Sequence, residues 1–184
     1  MNGRRVAFWM GVLAAAGAVL AAALLARARR IAARAPEVVT FVDLRRYLGK
    51  WYEIARYPNW FQQDDCVATT AVYTQRADGR IGVLNQCHRG GPDGPLQAAR
   101  GVARVADETT NAKLKVTFFR PFTGDYWIID LGPNYEYAVV SEPARRYLWI
   151  LARKPELDMQ TFGDILRRLR GQGFDTGKLI YRTG

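Results

Sequence analysis

Asp43–Trp51, DLRRYLGKW, running directly into YEIARYPNWF at 52–61, is the stretch from which the fold is read. Tyr47 and Leu48 form an apolar pair ahead of Gly49, and Trp51 heads a run that alternates like a strand. Glycine at a strand entry lets backbone or a ring approach closely. A tryptophan just beyond it can plug an apolar cavity, provided its ring N–H finds a partner.

Beyond this stretch the chain is a series of short alternating runs. Trp51–Tyr57 stops at Pro58-Asn59, and Val67–Gln75 is rich in Val, Thr and Tyr. Asp78-Gly79 supplies a hairpin turn into Ile81–Asn85. Gly90-Gly91-Pro92-Asp93-Gly94-Pro95 reads only as a loop. Gly101–Val105, Leu114–Phe118, Trp127–Leu131, Tyr135–Ser141 and Tyr147–Arg153 come next, with turn residues between them. Eight short strands with turn-length connections predict an all-β closed antiparallel barrel or a sandwich. One segment has a helical period instead: Phe162, Ile165, Leu166 and Leu169 fall at i, i+3, i+4 and i+7. Asp158 suits its N-cap, Arg167, Arg168 and Arg170 suit its C-terminal dipole, and Gly171 and Gly173 end it. A single apolar stripe implies packing against the outside of the strands. Phe174–Tyr181 reads as a last strand.

An eight-stranded up-and-down barrel is just wide enough inside for side chains or one small ligand. With the lysines of Leu114–Phe118 facing water, Leu114, Val116 and Phe118 point inward; with Asp130 facing water, Trp127 and Ile129 point inward. On Tyr147–Arg153 both faces are apolar. Arg153 chooses between them if its guanidinium stacks on Trp51 and donates to open carbonyls where the barrel closes. Trp149 then points into the cavity. A solvated arginine at a strand end is the alternative.

DLRRYLGKWYEIAR at 43–56, NYEYAVV at 134–140 and YLWILARKP at 147–155, in that order and with a helix after the last, together resemble the lipocalins. They look most like the bacterial outer-membrane lipocalin and apolipoprotein D branch. The match runs from Phe41 to about Tyr181. The resemblance implies an eight-stranded up-and-down barrel open at one end, with Gly49, Trp51 and Arg153 closing the other. It also implies transport or storage of a small hydrophobic ligand, without catalysis and without a cofactor. Tyr47, Tyr73, Trp127 and Trp149 correspond to pocket-lining aromatics; with Leu114, Val116, Phe118 and Ile129 they make up the expected ligand contacts. Where the second motif of the family usually has Thr-Asp-Tyr, this chain has Pro133-Asn134-Tyr135.

Cys66 and Cys87 flank the Asp78-Gly79 hairpin. A simple two-residue turn pairs Cys87 with Thr70, too far from Cys66 for a disulfide. A bulge between Cys66 and Thr70 brings the sulfurs together; otherwise the two are free thiols. A bond would place the domain in an oxidising compartment.

The N-terminal residues 1–34 differ from the rest. Val6–Ala26 is 21 residues without a charge, flanked by Arg4, Arg5, Arg27, Arg29, Arg30 and Arg34. It reads as an uncleaved hydrophobic signal-anchor helix or a cleaved export signal, with a buried helix of the domain as the bland alternative. The heavier basic flank after the run favours a cytoplasmic domain, against the cysteines and the family's usual export. The bacterial branch is often acylated at an N-terminal cysteine, which this chain lacks. Residues 35–40 read as a linker and 41–184 as the barrel domain.

The formal net charge of +10 is concentrated at this end. Without its six arginines, 21 basic residues face 17 acidic ones, a net of +4 and no nucleic-acid stripe. A lone histidine, His88, and two cysteines without a C-x-x-C leave no metal site and no obvious catalytic triad. The expectation is a lipid carrier of the bacterial cell envelope with a periplasmic domain. It binds a fatty acid, lysophospholipid or similar molecule and touches the membrane through residues 6–26. Two alternatives are a lipid- or isoprenoid-modifying enzyme using Glu53, which alternation points inward, and a membrane-tethered interaction domain.

Overall fold

The computed structural model describes residues 35–181 and, before them, Ala26. The expected apolar segment at 6–26 and the leader at 1–34 otherwise lie outside the described residues. The chain divides between Ala35 and Pro36, and the strands all belong to the unit that begins at Pro36. A one-turn helix, α1 (Leu44–Tyr47), leads into β1 (Gly49–Arg56), β2 (Cys66–Gln75), β3 (Ile81–Arg89), β4 (Leu96–Val105), β5 (Lys113–Thr117), β6 (Gly124–Leu131), β7 (Tyr137–Ser141) and β8 (Leu148–Ala152). Helix α2 (Met159–Gly171), a 3-10 turn at Thr176–Lys178 and the short β9 (Ile180–Tyr181) complete it. Each strand from β1 to β8 pairs antiparallel with the next, and β8 pairs back onto β1, so eight strands close into the expected barrel. Closure leaves the eight with no free edge for another chain to pair with.

Within the expected linker, 35–40, Val38 and Val39 are held to this barrel. Val39 N–H donates to the Ile128 carbonyl at 3.1 Å, and Val38 packs on the apolar core.

Two apolar clusters sit on opposite faces of the wall. The inner one joins Tyr47, Trp51, Tyr73, Ile81, Val83, Leu114, Ile128, Val140 and Leu151. The outer one joins Ala55, Ile129, Tyr137, Val139, Leu148 and Ile150 to Ile165 and Leu169 of α2. The helix forms as its stripe predicts. Asp158 is its N-cap, accepting from Thr161 N–H at 2.9 Å, and Ile165 and Leu169 are fully buried. Arg168 pins it to the sheet through Asp130 at 2.7 Å and the Tyr137 hydroxyl at 2.8 Å.

Several expectations need correction. Trp127 and Ile129 lie on the outer face with the helix, while Tyr126 and Ile128 occupy the inner one. A bulge between Ile128 and Asp130 is the reason: it puts Ile129 and Asp130 on the same side, so counting back from Asp130 selects the wrong face. Lys113, which lies over the Trp127 ring at 4.8 Å, is the outward neighbour that marks the true phase. Strands β3 and β4 run longer than predicted, pairing from Ile81↔Ala103 to His88↔Leu96. His88 is therefore a strand residue, its Nδ1 2.9 Å from the Gly94 carbonyl oxygen. Phe174–Tyr181 is mostly a turn, because Asp175 caps it through Gly177 N–H and only Ile180 and Tyr181 reach β1.

Cys66 and Cys87 are bonded, with Cα atoms 5.4 Å apart. The bulge this required is present between Val67 and Thr70, where Ala68 takes a positive φ of 51°. Cross-linking residues 21 apart removes loop entropy from the unfolded chain worth about 3 kcal/mol. The double variant Cys66→Ala/Cys87→Ala is expected to lose about that much stability. It should be read as a lower urea midpoint without reductant, with the strand signature in circular dichroism retained.

Candidate functional site

The floor of the barrel is built first. Trp51 is fully buried and its ring N–H donates to the Tyr47 carbonyl at 2.9 Å, so the indole carries no orphan donor. Arg153 lies 3.8 Å over the centre of that ring. Its three nitrogens donate to the carbonyls of Arg46 at 2.5 Å, Lys50 at 3.0 Å and Tyr135 at 3.3 Å. Gly49 suits this position. Its φ is +95°, and a Cβ would stand 3.3 Å from Arg153 Nη1. The resemblance to the lipocalins implied Gly49, Trp51 and Arg153 together, and they meet.

Tyr135 was not anticipated as part of this floor. It adopts φ 62° in the turn before β7, its hydroxyl accepts from Asp43 N–H at 2.7 Å, and the Arg46 guanidinium lies 4.1 Å over its ring. Helix α1 was also missed: four residues are too few to show a period. The signal that could have found it is Asp43 as N-cap, accepting from Arg45 N–H.

Above the indole the inner space is aromatic. Ring centres step from Trp51 to Tyr47 at 4.9 Å, to Tyr73 at 5.5 Å and to Tyr126 at 6.1 Å. The Tyr126 hydroxyl meets those of Tyr47 at 2.7 Å and Tyr73 at 2.9 Å. Burial raises all three phenols: Tyr47 and Tyr126 well above their usual value, and Tyr73 to about 12. Leu114, Val116 and Phe118 line the inner wall with them. The Phe118 ring covers Gly101, where a Cβ would come within 2.9 Å of it.

The opposite end is open. On β4, Gln97 and Ala99 share the inner face with Gly101 and Ala103, yet residues 96–100 are exposed on both faces. Trp149 faces inward at this end, beside Phe61 and Tyr147, and its ring N–H donates to Gln62 Oε1 at 3.4 Å. Trp60, Phe119 and Phe122 are 85%, 76% and 76% exposed in the loops joining β1 to β2 and β5 to β6, at the mouth.

Glu53 is buried on the inner side of β1, as alternation indicated, but it is engaged. Gln62 Nε2 donates to Oε2 at 2.8 Å, and Arg56 Nε lies 3.3 Å from Oε1. Arg56 also reaches Asp64 at 3.3 Å. This carboxylate balances a buried guanidinium, whose removal would strand the other charge. Among the described residues no His, Cys, Asp and Glu grouping is arranged to hold a metal ion, and no helix is long and apolar enough to cross a membrane.

A closed floor, an apolar inner wall and an exposed mouth define a cup-shaped barrel of the ligand-carrier type. The chain belongs to the lipocalin family: residues 42–184 match the lipocalin-like domain. It is 39% identical to temperature-induced lipocalin-1 of Arabidopsis thaliana over 151 residues, covering 78% of this chain and 80% of that protein. It is 40% identical over 149 residues to the outer membrane lipoprotein Blc of Escherichia coli K12, covering 80% and 82%. The barrel also superposes on insecticyanin from the tobacco hornworm Manduca sexta with a TM-score of 0.65 at 21% identity, covering 81% and 84% of the two chains.

Two outcomes test the floor and the cluster above it. Arg153→Lys keeps the charge but loses the planar fork that reaches three carbonyls. It is expected to lower the unfolding free energy by about 1–3 kcal/mol in denaturant titration. The buried phenols act at high pH. Their folded pKa lies above the unfolded value of 10, so their contribution is complete below pH 10 and fades as pH rises toward about 12. Melting temperature should therefore fall across that window, and less steeply in Tyr73→Phe.

Proposed function

We propose that this protein binds one small, mainly apolar ligand inside the barrel and carries or stores it in the bacterial cell envelope. The ligand is a fatty acid, a lysophospholipid or a lipid of similar size. The observation that carries this reading is the polarity of the cup: Trp51 and Arg153 seal one end, apolar and aromatic side chains line the wall, and the other end meets solvent. Each methylene moved from water into such a wall contributes about 0.8 kcal/mol, so ten give roughly 8 kcal/mol before ordering costs. Aromatic walls add contact area with few rotatable bonds.

The contacts assigned to the ligand are Tyr47, Tyr73, Leu114, Val116, Phe118 and Trp149, with Tyr126 and Ile128 taking the places expected of Trp127 and Ile129. Trp149 stands nearest the mouth, and Phe61 and Trp60 form a rim over which an acyl chain enters. The reading is of a binding protein, not an enzyme, because the inward acid Glu53 is committed to Arg56 and Gln62.

The envelope address is supported by the disulfide, which favours an oxidising compartment, and by the likeness to an outer membrane lipoprotein. Residues 6–26 serve as the membrane anchor or export signal in place of an acylated cysteine.

An environment-sensitive fatty-acid probe is expected to bind the purified protein saturably, with micromolar or tighter affinity. Trp149→Ala should weaken it about tenfold or more, in line with removal of a large buried aromatic contact. A lipid co-purifying in native mass spectrometry after mild extraction would identify the cargo. Correctly folded protein with no saturable binding would refute the reading.

A further inference from the structure

Among the described residues, the inner wall carries polar atoms left without a partner. Tyr47, Tyr73 and Tyr126 bring three hydroxyl groups together through two contacts, 2.7 and 2.9 Å long. Each contact uses one proton, so of the three O–H protons one is left over. No further hydrogen bond ties any of the three to another described residue. Whichever hydroxyl holds the spare proton, it holds it in a buried place, where an unmet donor is costly.

A spare acceptor stands on the same wall. Asn85 pairs with Ala71 of β2 and Ala99 of β4 and shares the face of Ile81 and Val83, which belong to the inner cluster. Its Oδ1 is out of contact with water and has no hydrogen-bond partner. Val83, two residues away, is the partner of Tyr73, so Asn85 lies one step nearer the mouth than the tyrosine cluster.

The charge balance narrows what fits. Burial keeps the phenols protonated, so they act as donors and not as anions. Arg153 stacks on Trp51, and each of its three nitrogens already donates to a carbonyl. A carboxylate drawn down to this level would exchange its hydration for one O–H, a poor trade for a full charge. An uncharged oxygen needs far less.

We infer that the Tyr47–Tyr73–Tyr126 cluster and Asn85 form a polar subsite inside the barrel for an uncharged oxygen, a hydroxyl or carbonyl, borne on the apolar body of the ligand. This rests on the ligand-binding reading above and deepens it. The cargo is an oxygenated lipid, with its neutral oxygen at the tyrosine cluster and Asn85 and any ionised headgroup left toward the mouth. A hydroxyl suits best, because it accepts from the tyrosine and donates to Asn85.

The test compares stearate with a series of monohydroxylated stearates, displacing a fluorescent fatty acid from the wild type, Tyr126→Phe and Asn85→Leu. The quantity read is the affinity ratio of each hydroxylated acid to stearate. Its change between wild type and variant cancels the cost of dehydrating the ligand hydroxyl. For the best-placed member the ratio should fall roughly tenfold in Tyr126→Phe and several-fold in Asn85→Leu. Tyr73→Phe gives the same readout should Tyr126→Phe fail to fold. Ratios that stay the same across the series in these variants, or a loss shared equally by stearate, would overturn the inference. If folded wild-type protein binds none of the acids, the ligand-carrier reading falls and the subsite with it, which is a different result from equal binding of all.

Discussion

The Arg153 guanidinium, lying on Trp51 and reaching three carbonyls, is the contact on which the cup depends. Those carbonyls come from the end of α1, the adjoining start of β1 and the turn before β7, which is remote from both in sequence. A planar fork can serve all three at once while its face stays against an indole. The positive φ of residue 49 favours glycine there, and Trp51 forms the inner surface of the floor, packed in the inner apolar cluster. Tyr135 repeats the device in the same floor, with Arg46 on its ring and Asp43 N–H on its hydroxyl.

Bulges decide what the rest of the wall presents. The one between Glu53 and Ala55 shifts β1 from an inner phase at Trp51 and Glu53 to an outer phase at Ala55, under the helix. It also lies just beyond Tyr52, where β1 and β2 cease to pair and β9 takes up the freed part of β1. The bulge between Val67 and Thr70 brings Cys66 to Cys87 at the same end. The one between Ile128 and Asp130 lets β6 place Tyr126 and Ile128 on the inner face while Ile129 packs on α2. Apolar residues on both faces of β6 and β8 are therefore not redundant; one face makes the cup and the other carries the helix.

The polar chemistry of the interior results from the same placement. Tyr126 reaches Tyr47 and Tyr73 across the barrel because β6 turns it inward, and Glu53 finds Arg56 and Gln62 because β1 bends outward after it. The tyrosines retain a spare donor and Asn85 a spare acceptor, while the carboxylate is neutralised by its neighbours. The interior is thus suited to hold a molecule more than to transform one.

Period and punctuation in the chain were enough for the eight strands and the helix with its Asp158 cap, since alternation and a 3.6-residue repeat are local signals; the meeting of Gly49, Trp51 and Arg153 was implied by the resemblance to the lipocalins. Leu114, Val116 and Phe118 were legible for the same reason: β5 is regular, with lysines marking its outer face. Trp127 and Ile129 were assigned to the wrong side because a bulge changes the phase without changing the composition. The short α1, the role of Tyr135, the hydroxyl cluster and the unpartnered Asn85 amide were decided only by the closed barrel, because each depends on atoms brought across the sheet from strands far apart in the chain, and no local pattern records that distance.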